Sequence, residues 1–466
     1  MTSVHDIKKQ QTEEIIGRTQ SVCPVCLKRI PAERVREHGC VYLRKTCKEH
    51  GDFKTVIWRG EPDYLAWQQL KMPEHPNVCL TEIDKGCPYD CGLCPSHNQQ
   101  ICCALLEVTQ RCNLGCPICF ANAVSDDPVK DLTLEELMDQ MKMVRDTTGK
   151  SNIQLSGGEP TMRDDLPDII RAARSLGYTF FQLNTNGIRL GEDHDYVQAL
   201  KEAGLSWVFL QFDGTKDEIY QHLRGKSLLA AKEKAIEACG RQQLGVVLVP
   251  TLVPGINTDN IGDIVRYALK GMPVIRGVHF QPISYFGRYP VPPEDKDRFT
   301  LPEVLRALEE QTDGLLKVAD FAPSDCESSV CSFHGDFIYM KDGKLTPSSK
   351  KQNTCCYGRG SDRMESVLKS RSFVRNRWRI LNSPACCGSE NGAKKQDSWD
   401  NVLDRIRNYR LSITCMAFQD AENLDIERLQ YCCVSIIDKG KTIPFCAYNI
   451  TSRDGHSLYR GKSTDI

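Results

Sequence analysis

Residues 104–120 read ALLEVTQRCNLGCPICF. The run ALLEVT (104–109) has the character of a strand. Cys112, Cys116 and Cys119 follow it directly at C-x3-C-x2-C spacing. Downstream, strand and helix signals alternate. DLTLEELMDQMKMVRDT (131–147) reads as a helix capped by Asp131 or Thr133, and NIQLSGGEP (152–160) as a strand ending in a glycine turn. LPDIIRAARSLG is an amphipathic helix with a glycine stop, and TFFQLNTNG (179–187) the next strand. SWVFLQFDG (206–214), GVVLVPTLV (245–253) and GVHFQPIS (277–284) continue the series, with helical runs between them. Six β-then-α steps argue for a parallel sheet with crossover helices. Polar motifs follow the strand ends repeatedly: TQRCN, SGGEP, NTNG, QFDG, TLVPG and QPISYFG. Functional groups gather at strand C-termini in barrels, so a partial (β/α)6 parallel barrel fits better than a doubly wound sheet.

The chain has 466 residues, room for two or three domains, and carries 60 basic against 61 acidic residues. That balance gives no electrostatic reason to expect nucleic acid as the main partner. The polar N-terminus lacks the apolar core of a signal peptide, and no run approaches a membrane span. A cytoplasmic location is expected; a peripheral membrane contact would leave little trace in composition. In such a chain, 24 cysteines with C-x2-C spacings point to metal or iron–sulfur binding rather than disulfides.

Three thiolates on one loop can hold three irons of a [4Fe–4S] cube and leave the fourth iron open to an external ligand. A zinc site normally takes four protein ligands, and this loop supplies three. CNLGCPICF, with Phe120 after the last cysteine, resembles the signature loop of radical S-adenosylmethionine (SAM) enzymes. The resemblance implies a [4Fe–4S] cluster on Cys112, Cys116 and Cys119 as the catalytic centre. Its open iron would chelate SAM, and an electron would cleave the sulfonium to methionine and a 5′-deoxyadenosyl radical. The same resemblance implies an external reducing donor such as ferredoxin or flavodoxin. SGGEP is similar to the family's GGE motif and implicates Gly157, Gly158 and Glu159 in holding SAM. Physically, the glycines permit close backbone approach and Glu159 can accept from an ammonium. Asn184, Asn186 and Asp213, at later strand ends, resemble positions that face SAM or substrate; alone, N-G and D-G are ordinary turns.

Cys87, Cys91 and Cys94 repeat the same spacing 25 residues upstream. Here Cys102, or Cys103, can serve as a local fourth ligand and close an auxiliary cluster. In the tail, Cys326 and Cys331 with Cys432 and Cys446 could hold another; Cys433 and Cys415 are the rivals. YCCVSIIDKGKTIPFCAYN reads as a hairpin carrying Cys432 and Cys446 on its two arms. Adjacent strand residues face opposite ways, so Cys432 and Cys433 should not share a cluster. The vicinal pairs Cys355/Cys356 and Cys386/Cys387 read as structural, and 383–398 as an exposed insertion. CPVC and CKEH resemble the knuckles of a zinc-ribbon or rubredoxin-like site. Its ligands would be Cys23, Cys26 and Cys47 with His50 or Cys40, holding zinc or mononuclear iron.

The order of these motifs is similar to the radical SAM subgroup of the archaeal tetraether lipid synthase and the methanogen pterin-methylating proteins. The expected organisation is a zinc-ribbon-like subdomain (1–76), an auxiliary cluster loop (77–103), a radical SAM barrel (104–320) and a cluster-binding C-terminal region (321–466). The leading expectation is C–C bond formation at an unactivated C–H bond, joining lipid chains. The alternative is methylation of a pterin-like small molecule. A cluster carrier without enzyme activity would leave GGEP and the three-ligand loop unexplained.

Overall fold

The computed structural model describes residues 13–125, 130–149, 151–324, 326–348 and 405–461. The vicinal pairs Cys355/Cys356 and Cys386/Cys387 and the 383–398 stretch lie outside the described residues. The chain opens with four antiparallel strands, β1 (Glu14–Val22), β2 (Arg29–Glu37), β3 (Cys40–Cys47) and β4 (Gly51–Arg59), paired in that order. A short helix α1 (Tyr64–Trp67) and a long cysteine-bearing loop lead into the second sheet.

That sheet is built by β5 (Cys103–Thr109), α2 (Leu134–Thr148), β6 (Asn152–Gly157), α3 (Leu166–Ser175), β7 (Phe181–Thr185), α4 (Ile188–Glu192), α5 (His194–Ala203) and β8 (Trp207–Gln211). It continues with α6 (Asp217–Arg224), α7 (Leu229–Arg241), β9 (Gly245–Val249), β10 (Thr251–Leu252), α8 (Ile261–Lys270) and β11 (Ile275–Pro282). Strands β5, β6, β7, β8, β9 and β11 lie side by side, all parallel, in chain order. This is the (β/α)6 arrangement expected.

After α9 (Leu301–Gln311) come β12 (Ala322–Pro323), β13 (Ser332–Tyr339), β14 (Leu345–Pro347), β15 (Arg410–Met416), α10 (Ile426–Gln430), β16 (Val434–Asp438), β17 (Lys441–Pro444) and α11 (Phe445–Asn449). β15 joins the sheet parallel to β11, and β16 joins it parallel to β5. The C-terminal segment therefore extends both sides of the same sheet.

Each parallel strand has two faces, because successive side chains alternate. Ile153, Leu155, Leu183, Val208, Leu210, Val278 and Phe280 point to the helices and form the main core. Phe180, Trp207, Phe209 and Val247 form a separate cluster on the inner face. The helix over 131–147 starts at Thr133, not Asp131. A capping box with Glu136 satisfies its first turn. Asp131 instead accepts from Thr109 Oγ1 and Arg111, both at 2.5 Å.

The C-terminal hairpin is shorter than its sequence pattern predicts. β17 stops at Pro444, and FCAYN forms a helical turn with Pro444 at its N-cap. Proline offers no N–H to continue the ladder. Cys446 accordingly lies on α11 and not on a strand, and Cys432 precedes β16. The N-terminal sheet docks on this region. Arg34 Nε donates to buried Asp425 at 2.7 Å, and Thr19 Oγ1 donates to the same carboxylate at 2.7 Å. Among the described residues, no helix is long and apolar enough to cross a membrane.

Candidate active site and metal centres

Residues 110–124 leave the C-terminal end of β5 as a loop that presents Cys112, Cys116 and Cys119. The loop is clamped from two sides. Below it, Gly158 N donates to Thr109 O at 2.9 Å and Glu159 N to Arg111 O at 2.8 Å. A Cβ on Gly157 would lie 2.1 Å from Thr109 O, and one on Gly158 2.3 Å from Arg111 O. The two glycines are needed for the approach of β6 to the cysteine loop itself. Above it, Cys119 and Arg288 exchange backbone bonds at 2.9 and 3.0 Å, and Arg288 Nε donates to Cys116 O at 3.1 Å. Sequence reasoning missed Arg288; its one signal is its place after the strand-end motif SYFG.

The three thiols face one another, and Leu114 N donates to Cys112 Sγ at 3.4 Å. Burial pushes the Cys112 thiol up to about 12, with Glu159 adding to the rise. The three thiols are half-buried and gathered beside a carboxylate, a donor set that the cations of an iron cluster suit. Three sulfurs on one loop, with an N–H aimed at one of them, fit the cluster expected there.

Glu159 is 1% exposed and joins two strand ends. Its Oε1 accepts from Thr161 N at 3.1 Å, Thr161 Oγ1 at 2.7 Å and Thr185 Oγ1 at 2.6 Å; its Oε2 accepts from Asn186 N at 2.7 Å. Asn186 Nδ2 then reaches Asn113 Oδ1 in the cysteine loop at 2.7 Å. Asn184 accepts from Gln182 at 2.9 Å and remains half-buried on the inner face.

Asp213 is fully buried and holds Arg224 through two 2.7 Å bonds. Arg224 in turn contacts Cys116. Beside them Lys232, also fully buried, donates to Asn186 O at 2.5 Å and Gln211 Oε1 at 2.9 Å. Burial lowers its ammonium to about 8. Phe120 packs 5.8 Å from Phe445, and Arg460, paired with Glu107 and Asn449, lies over its ring. Arg460 and Lys232 left no motif in the sequence.

In the ribbon, the ligand atoms of Cys23, Cys26, Cys47 and His50 all lie within 4.8 Å of one another. His50 Nδ1 is 3.5 Å from Cys47 Sγ, and this contact lowers the Cys47 thiol to about 6. Three sulfurs and an imidazole at single-ion spacing fit zinc. Cys40 starts the strand that Cys47 ends, which puts the two about 23 Å apart at roughly 3.3 Å per residue.

Cys87, Cys91 and Cys94 line one small cavity with His97, Leu429 and Pro444. The thiol of Cys87 contacts those of Cys91 and Cys94 and is pushed up to about 12, chiefly by Cys91. Cys102, expected to complete this set, meets Cys433 instead, and Cys433 also meets Cys326. Cys331, Cys432 and Cys446 form another group. The tail cysteines thus divide between two places, Cys433 going to one and its neighbour Cys432 to the other. Cys415 packs in the outer-face core with Leu411 and Ile413.

A model of the radical SAM superfamily matches residues 106–268, and one of the HMPTM N-terminal zinc ribbon domain matches residues 15–59. The 7,8-dihydro-6-hydroxymethylpterin dimethyltransferase of Methanocaldococcus jannaschii is 37% identical to this chain over 94% of both. The Fe-coproporphyrin III synthase of Methanosarcina barkeri is 35% identical over 34% of this chain and 38% of its own. A solved methylornithine synthase is 15% identical, with a TM-score of 0.37 over 59% of this chain and 82% of that one. The cysteine loop, the glycine clamp beneath it and the ribbon together agree with these matches: the chain is a radical SAM enzyme and belongs to the family of the methanogen pterin dimethyltransferase.

Proposed function

We propose that this enzyme methylates a reduced pterin: the hydrogen of one C–H bond of a 7,8-dihydropterin leaves in 5′-deoxyadenosine, and a C–CH3 bond forms there with a methyl group drawn from a one-carbon co-substrate. The observation that carries this reading is the 37% identity with a pterin dimethyltransferase over 94% of both chains. It reverses the order expected from sequence, where lipid coupling stood first.

The inner face of the barrel supports the same choice. Gln154, Asn184, Gln211, His279 and Gln281 alternate with residues of the outer core and so share the inner face with Phe209. His279 lies 5.6 Å from Phe209, ring to ring. Amides around an aromatic floor suit a planar heterocycle with donors and acceptors on its edge. An alkyl chain in the same place would have no polar edge to offer these amides and the imidazole.

When bound, the cluster and SAM supply one-electron cleavage of the sulfonium and hydrogen-atom abstraction. Cys112, Cys116 and Cys119 would hold the cluster. Arg288 and the Gly157–Gly158 pair fix the loop against β6 and the end of β11. Glu159 and Asn186 tie that loop to β7, and Arg224, set by Asp213, places a positive charge beside Cys116. A small-molecule electron source or a reducing protein must reach this end of the barrel.

The test uses anaerobic enzyme, reductant and SAM with a deuterium-labelled extract of cells lacking the enzyme, split into lipid and polar fractions. Deuterium should enter 5′-deoxyadenosine from the polar fraction. Unlabelled 6-hydroxymethyl-7,8-dihydropterin added in excess should dilute that label and gain methyl mass. Transfer from the lipid fraction alone would overturn the reading.

A further inference from the structure

Phe120 follows Cys119 and Phe445 precedes Cys446. The two rings meet with centroids 5.8 Å apart, tilted at 46°. Two peptide units and one ring contact therefore join the SAM loop to the tail cysteines. Phe445 is buried and also packs on Phe286 and Phe418, at 6.2 and 4.4 Å. Phe120 is different: it is 36% exposed, so the core does not account for its place. Other contacts hold it. Arg460, paired with Glu107, lies over its ring at 5.7 Å. Gly287 has φ +56°, and a Cβ there would lie 2.6 Å from the carbonyl oxygens of both Cys119 and Phe120. The turn after β11 thus presses on the backbone of the SAM loop, while its Phe286 packs on Phe445.

At the other end of this contact, Cys446 gathers with Cys331 and Cys432. Gln419 N donates to Cys446 Sγ at 3.3 Å. Arg428 donates to Cys331 Sγ through Nε at 3.4 Å and through a second guanidinium nitrogen at 3.3 Å. N–H groups aimed at sulfur suit thiolate ligands, so this set fits the auxiliary cluster expected in the tail. Arg428 is buried, and a buried positive charge beside the sulfurs favours the reduced form of such a centre. The tail centre is thereby suited to hold an electron. Electrons cross bonded atoms and packed rings more readily than open gaps, and the Phe445–Phe120 contact offers such a passage to Cys119.

We propose that Phe445 is a positioning residue for electron delivery, and that its contact with Phe120 is the route from the tail centre to the SAM loop. A reduced ferredoxin or flavodoxin gives one electron at the tail, and one electron passes on by way of Phe445 and Phe120. No bond is made or broken along this route and no proton moves. It is independent of which substrate the enzyme takes.

The test mixes the anaerobically reconstituted full chain and SAM with a reduced ferredoxin or flavodoxin that reduces the wild type. Freeze-quench EPR then times the appearance of the SAM-responsive signal. Phe445→Leu should slow that appearance at least tenfold, and Phe445→Tyr, which keeps the ring, should stay within twofold of wild type. Phe418→Leu removes a ring of the same cluster that lies off the route, and it too should stay within twofold. Titanium(III) citrate, which reaches the SAM loop by diffusion, should reduce wild type and Phe445→Leu at the same rate. Wild-type iron and zinc content reports that each variant is folded and loaded; Phe445→Met serves where Phe445→Leu is not, and should show the same slowing. A wild-type rate with the protein donor in Phe445→Leu or Phe445→Met would overturn the route. So would equal slowing in Phe418→Leu, or equal slowing of Phe445→Leu with titanium(III) citrate, since either would reduce the effect to lost packing.

Discussion

Gly158 lies so close to Arg111 that a Cβ would come within 2.3 Å of the Arg111 carbonyl oxygen and 2.6 Å of that of Gln110. Both obstacles are backbone and cannot swing aside. The side chain missing at Gly158 is what lets β6 support the loop that carries Cys112. Gly158→Ala should therefore push the loop off the sheet at a cost of about 1–3 kcal/mol. SAM cleavage, followed as 5′-deoxyadenosine, should fall at least tenfold, with loss of the SAM-responsive EPR signal. Wild-type cleavage in Gly158→Ala would show that the loop tolerates the displacement.

The Asp213–Arg224 pair is buried and doubly hydrogen-bonded, and Arg224 touches Cys116. Removing one partner leaves the other charge stranded, which costs about 3–5 kcal/mol. Asp213→Asn should lower thermal stability sharply and weaken SAM binding through Arg224. The double change Asp213→Asn with Arg224→Met should restore much of the stability but not the binding. Equal destabilisation by the single and double variants would mean that the pair is not the source.

The parts of this molecule that were readable in sequence are those written in short spacings. The cysteine triplets, GGE and the ribbon knuckles each fit within a few residues or one β-turn-β unit, so their geometry is local. The alternating strands were readable for the same reason. What sequence could not give depends on which strands become neighbours. Cys102 meets Cys433 only because β16 lies beside β5. Arg460 reaches Glu107 across 353 residues of chain. The amides of the inner face come from different strands and share one side only once the sheet has formed. TIPFCAY has the β-branched and aromatic residues of a strand, and the one residue that ends the ladder is Pro444.

Lys232 gives the interior a pH signature. Its ammonium falls from the ordinary 10.5 to about 8, with burial the main cause. Between those values the unfolded chain binds the proton and the folded one does not, so this residue makes stability rise with pH across that window. The contribution is on the order of 3 kcal/mol over the full range, at 1.36 kcal/mol per unit. Lys232→Met should lack it. Denaturant titrations of both proteins at pH 7.5 and 9.5 test the difference, in which the many thiols cancel. A difference that stays flat with pH would mean that Lys232 keeps its charge when folded.

The ribbon should be separable from SAM chemistry. Its ligands come from 23–50, whereas the cysteine loop and its supports come from β5 to the turn after β11. The ribbon meets the body at two places: Arg34 and Thr19 on Asp425 at α10 and Lys45 on Ala421 O, and, through β4, Val56 on Asp295 and Arg59 on Arg298, Thr300 and Glu303 at the start of α9. Cys47→Ser removes one of four ligands and should release one metal ion per chain. Hydrogen exchange should then speed up in β1, β3 and α10, because the ribbon sheet is stapled by that ion. Formation of 5′-deoxyadenosine should stay within twofold of wild type, since none of the residues that clamp Cys112, Cys116 and Cys119 belongs to the ribbon. Loss of cleavage in a Cys47→Ser protein that retains its iron would instead tie the ribbon to the active site, and the Arg34–Asp425 contact would be the first place to look for the coupling.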